Sequence, residues 1–104
     1  MITTEDRLRK LWTEYGNRAL PADIGQEVAG HKIGDLDDEA QDAISSYFGM
    51  GANLGSDKIA RLGLALLRIE QVLPHLVRRD THDYFMRLAE LSRLVLESIA
   101  SGKA

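Results

Sequence analysis

His75, Asp80, His82 and Asp83 fall within nine residues, and all four side chains are of types that bind divalent metals. A metal site needs several such groups converging on one point, and a helix achieves this with His-x-x-x-His or Glu-x-x-His spacing. Neither spacing occurs here, and Arg78 and Arg79 between the histidines repel a cation. The stretch therefore reads as a solvated connection between helices, with no metal assigned. A second candidate is "YFGMGANLGSDK", Tyr47 to Lys58, with glycines at 49, 51 and 55. A dinucleotide loop follows a strand, whereas these glycines follow an amphipathic helical pattern ending at Phe48. A Walker loop ends Gly-Lys-Ser/Thr, whereas this one ends Gly55-Ser56-Asp57-Lys58, and Asp57 repels phosphate from the positive end of the next helix. The glycines read as punctuation, with Gly49 ending one helix and Ser56 capping another.

Catalysis asks for a nucleophile, a base and an orienting group that converge. Ser45, Ser46, Ser92 and His75 are tied together by no motif, so no catalytic residue is assigned. Glu70 is the most unusual single carboxylate, projecting toward the apolar side of its helix near Gly63 and Leu67. An unpaired charge there is costly. The expectation is an ion pair with an arginine such as Arg87, ahead of a general acid or base.

Two charged patterns point instead to a partner. Asp37, Asp38, Glu39 and Asp42 crowd the first turns of one helix, and Arg61, Arg68 and His75 recur every seven residues along another. Residues seven apart share a helix side, and arginine is enriched at interfaces. As the second helix of a helix-turn-helix, "DLDDEAQD" would place five carboxylates beside the DNA backbone, which argues against groove recognition.

Composition narrows the class. The 104 residues are 44% hydrophobic and 28% charged, enough for one modest core. There is no cysteine, hence no disulfide framework or thiolate chemistry, which fits a cytoplasmic setting. "MITTEDRLRK" lacks the apolar run of a signal peptide, and no stretch approaches the ~18 apolar residues that span a bilayer. Residues 1–55 carry ten acidic and five basic groups, and residues 56–104 six and eight, so a net of −5 adjoins a net of +2. Neither half is a nucleic-acid footprint.

The positioning elements are helices. Thr3 or Thr4 caps a helix with Leu8, Leu11, Trp12 and Tyr15 on one face and Gly16 as its stop. Pro21 opens a short second helix with Ile24 and Val28 together, ended by Gly30. An aspartate caps a third over "DLDDEAQDAISSYFG", whose face is Leu36, Ala40, Ala43, Ile44, Tyr47 and Phe48. The fourth starts at Ser56 and is apolar on most of its circumference, with Ala60, Leu64 and Leu67 opposite Ile59, Leu62, Leu66 and Ile69. It is placed at the centre of the fold and continues, kinked at Pro74, to about Arg79. The fifth runs from Asp80 or Thr81 to about Ala100, with Leu94 and Met86 on its wet side. Strand signals are absent.

The fold class is all-α: a compact bundle of four to five helices around a central hairpin, 56–79 and 81–100. Residues 1–104 form one domain, with 101–104 a frayed tail. The expected function is a small non-enzymatic helical module for protein–protein interaction or regulation, including the immunity-protein or antitoxin type, with an acidic helix face. Asp37, Asp38, Glu39, Asp42, Arg61, Arg68 and His75 are the partner-binding candidates. The partners expected are a protein, including a second copy of the chain, with no nucleic acid, membrane or cofactor. The rival is a small-molecule or metal-binding bundle, a weak enzyme centred on Glu70, His75 and the glycine loop.

Overall fold

Helix capping sets the first boundary. In the computed structural model, which describes residues 3–50 and 54–101, Thr3 accepts from the Asp6 N–H at 3.1 Å while the Asp6 carboxylate accepts from the Thr3 N–H at 3.3 Å. This reciprocal box starts α1, Thr4–Gly16, which buries Leu8, Leu11 and Tyr15. Trp12, half-buried, stacks between Tyr15 and Phe48 with ring centroids 5.6 and 5.5 Å apart.

The short second helix does not form. Residues 22–25 make successive turns, with the Ile24 N–H donating to Pro21 O and the Gln26 N–H to Asp23 O. A two-residue hairpin follows, β1 (Glu27–Val28) pairing antiparallel with β2 (His31–Lys32). Its loop residues, Ala29 and Gly30, both have positive φ, 51° and 83°, the twist that suits a two-residue hairpin turn and that no helix allows. Ile24 and Val28 still pack against the core, as their spacing implied.

The next helix, α2, spans Ile33–Met50 and begins directly after β2, two residues before the expected aspartate cap. Gly49 lies inside it and is not a stop. Gly34 allows a close approach, because a Cβ at this position would sit 2.9 Å from the Ile24 carbonyl oxygen. That atom is backbone and cannot swing aside. Gly34→Ala is therefore expected to cost about 1–3 kcal/mol, the range for overpacking. Chemical denaturation would measure it, and an unchanged midpoint would show that the turn does not rest on α2.

A third helix, α3, spans Ser56–Val72 and is preceded by Gly55 as N-cap, with no side-chain cap, so Ser56 is its first residue and not the cap. It does not continue to Arg79. Pro74 has no N–H for the Glu70 carbonyl, and the chain tightens into a 3-10 turn, Leu73–His75, then extends at Leu76. The last helix, α4, spans Arg79–Ser101. Of the expected frayed tail, Ser101 belongs to α4 and 102–104 lie outside the described residues, as do 51–53 of the glycine loop.

Side-chain contacts give the helix directions. Lys58 on α3 reaches Asp42 and Ser46 on α2, whereas Gln71 reaches His31 at the other end, so α2 and α3 are antiparallel. Tyr84 and Ser98 on α4 meet Asp37 and Tyr47 on α2, so α2 and α4 run parallel. The all-α bundle therefore holds, with four α-helices among the described residues and the α3–α4 hairpin expected from the sequence.

The central helix is α4, not α3. It packs on α1, α2 and α3 and buries Tyr84, Phe85, Leu88, Ala89, Leu91, Ser92 and Val95. The far side of α3 faces solvent, leaving Leu64 and Leu67 44% and 51% exposed. Leu94, expected on the wet side of α4, packs partly buried against the core, whereas Met86 is exposed.

Candidate functional site

The charged candidates separate into three environments. Asp38, Glu39 and Asp42 line the exposed side of α2, joined by Asp35 one turn earlier. Asp42 is partly committed, accepting from Lys58 Nζ at 3.2 Å. Arg61 is exposed and Arg68 half-buried, helical spacing sets both between Lys58 and Gln71, the α3 residues that reach Asp42 and His31, and neither makes an ion pair with the described residues. His75 is exposed but leaves that row, because α3 ends at Val72 and the 3-10 turn breaks the seven-residue periodicity. Ala60, Leu64 and Leu67, spaced i, i+4, i+7, form an exposed apolar ridge beside the two arginines. The outer sides of the adjoining helices α2 and α3 thus carry an acidic row, two arginines and a line of leucines.

Asp37 belongs to none of this. It is 4% exposed and turned inward, where the Tyr15 and Tyr84 hydroxyls both donate to its Oδ1, Tyr84 at 3.0 Å. Tyr84 also lies 3.2 Å from the Tyr15 hydroxyl, so the three groups join α1, α2 and α4 in one closed network. Burial pushes the Asp37 carboxyl up from the ordinary aspartate range, and the two phenol hydrogen bonds oppose that rise. Burial also carries Tyr15 far above the tyrosine range and pushes Tyr84 up to about 12. Phenols held this high keep their protons at neutral pH and act as donors, which makes the cluster a clamp between helices. The sequence did hold a sign of it. Asp37 is three residues before Ala40 and seven before Ile44, on the edge of the buried face.

Along the α1–α4 groove, Tyr84 forms part of the wall of a cleft of about 600 Å³ that also involves Arg18, Leu20, Pro21, Arg79 and Asp83. A smaller hollow of about 290 Å³ lies against Glu14, Tyr15, Arg18 and Arg87. Cations and carboxylates alternate there, and the pairs Arg87–Glu14, at 3.2 Å, and Arg7–Glu90 close much of the groove on itself.

The other chemical candidates disperse. Glu70 is exposed and accepts from Arg93 at 2.8 Å, so its partner is Arg93 and not Arg87. Arg78 takes Asp80 in a bidentate pair, both contacts at 3.1 Å. The buried Thr81 hydroxyl donates to Asp23 at 2.5 Å. His31 is half-buried, with Nε2 3.2 Å from Gln71 Oε1. Among the described residues no three His, Asp or Glu side chains come close enough to hold a metal ion. In comparisons with protein families, curated proteins and solved structures, nothing matches this chain.

Proposed function

We propose that this chain is a non-enzymatic helical interaction module whose working surface is the α2–α3 face. One observation carries the reading: Leu64 and Leu67 are exposed side by side along α3, next to two arginines without ion pairs. Isolated exposed leucines are ordinary, but a helical line of them rimmed by charge is the pattern of an interface core and its edge. The acidic row of Asp35, Asp38 and Glu39 adds a polar edge that steers encounter. An immunity-type or antitoxin-type inhibitor of a basic protein would use the acidic row alone. The mixed charge of this face favours a partner that offers both signs.

The ligand-binding alternative draws less support. Among the described residues none of Glu70, His75 and Gly55 lines the clefts along α1 and α4, and Glu70 is already paired with Arg93. No helix among the described residues is long and apolar enough to cross a membrane.

The test is affinity capture from the source cell with three baits: the native chain, Leu64→Glu/Leu67→Glu, and Asp38→Asn/Glu39→Gln/Asp42→Asn. Capture in stoichiometric amount by the native chain, abolished by the leucine variant and weakened at least tenfold by the acid variant, is expected. Equal capture by all three baits would remove the face from consideration.

A further inference from the structure

The geometry points to a second copy of this chain as the occupant of the α2–α3 face, a step that rests on the reading just given. We infer a two-fold homodimer with its axis along the seam between α2 and α3. The contacts that hold the seam also fix which residues stand level across it. Lys58 reaches Asp42 and Ser46, and Gln71 reaches His31, so moving along α3 by one residue moves along α2 by one in the opposite sense. Arg61 therefore stands level with the turn from Glu39 to Asp42, and Arg68 stands level with Asp35. Within one chain neither arginine closes on these acids.

A rotation about an axis along the seam keeps every residue at its level and exchanges the two helices. The α3 of one copy then lies over the α2 of the other. Arg61 meets the partner copy's acidic row at the height of Glu39 and Asp42, Arg68 meets it at Asp35, and the same contacts recur by symmetry. Such a self-complementary arrangement is what a two-fold interface requires. Leu64 and Leu67 lie between these levels and leave water with the arginines around them. A partner of a single sign matches one row and repels the other, and the repelled row costs more than a rim contact returns. The chain's own face, turned over, satisfies both.

The experiment is the mass of the purified chain in solution by light scattering or sedimentation, from micromolar to submillimolar concentration. The expected mass is twice the 11.6 kDa of one chain. Leu64→Glu/Leu67→Glu should give the mass of a single chain with helicity unchanged by circular dichroism. So should Arg61→Glu/Arg68→Glu alone and Asp35→Lys/Asp38→Lys/Glu39→Lys alone. Mixing these two charge variants should restore the doubled mass as a heterodimer. A native chain that stays single throughout the range overturns the proposal, as does a doubled mass that persists in the leucine variant. A native dimer whose charge variants do not recombine overturns it too. If the pure chain is single and the leucine substitutions still abolish capture of a different protein, self-pairing fails and the interaction module stands. If the doubled mass persists in the leucine variant and that variant captures as well as the native bait, both fail.

Discussion

Asp37→Ala is expected to destabilise the fold by about 2–4 kcal/mol, although it removes a charge whose burial is costly. The reason lies in what is left behind. Tyr15 and Tyr84 both donate to Asp37 Oδ1, and without that oxygen at least one phenol O–H has no acceptor in a dry site. A hydrogen bond to a charged group is worth roughly 1.5–3 kcal/mol, and an orphaned buried donor costs about 1–3 kcal/mol more. Asp37→Asn keeps an acceptor oxygen and should cost much less. The triple variant Asp37→Leu/Tyr15→Phe/Tyr84→Phe removes every polar partner together and should recover most of the loss, as replacement of a complete buried polar group does elsewhere. Equal losses in Asp37→Ala and the triple variant would mean that packing, and not unmet hydrogen bonding, sets the cost.

The same residue makes stability depend on pH in a stated direction. Burial raises the Asp37 carboxyl in the folded chain above its unfolded range. A group raised on folding contributes stability that is full below its unfolded range and is lost as pH rises through the folded one. The native chain should therefore lose stability from this group as pH climbs from the ordinary aspartate range toward neutrality, and Asp37→Asn should not. Subtracting the two denaturation curves isolates the effect from the other carboxylates. A difference that is flat with pH, or that grows in the opposite direction, would place Asp37 in a wetter environment than the structure shows.

Phe85→Ala is expected to cost about 3–5 kcal/mol, the largest effect of any single truncation considered, whereas Leu67→Ala should change stability by less than about 0.5 kcal/mol. Phe85 is the largest fully buried side chain, edge-on to Tyr84 with ring centroids 5.4 Å apart, on the helix that touches all three others. Leu67 is half in water. The pair of measurements asks which helix is central. Comparable losses at the two positions would restore α3 to the core, and would also withdraw the apolar ridge from the interface. A dimer adds a refinement, because any stabilisation lost by Leu67→Ala then depends on protein concentration, whereas that of Phe85→Ala persists at every concentration.

Local chemistry is legible in this sequence wherever a few adjacent residues decide the outcome. Thr3 with Asp6, the stripe Leu8–Leu11–Tyr15, the face of α2 from Leu36 to Tyr47 and the hairpin of α3 and α4 all follow from capping and periodicity, since each needs only its own turn of helix. The misreadings share a cause as well. Pro21 and Ile24 are compatible with a helix, but Ala29 and Gly30 at positive φ close a hairpin that hands the chain straight into α2. After Pro74, apolar spacing continues through Leu76 and Val77, yet Val77 is 95% exposed because the chain has already left the helix.

Periodicity states which residues share a side, and it cannot state how many neighbours that side will find. The far side of α3 is apolar enough for a core, and only the packing of α1, α2 and α4 left it uncovered. Asp37 stands one residue from Asp38 in the same acidic run, but one faces Tyr15 and Tyr84 across two other helices while its neighbour faces water. Composition and spacing by themselves determined an all-α chain, the capped start of α1 and the apolar stripes that α1 and α2 bury. Tertiary structure decided which helix is central, which carboxylate is a clamp and which leucines remain on the surface, because those depend on contacts between residues dozens of positions apart.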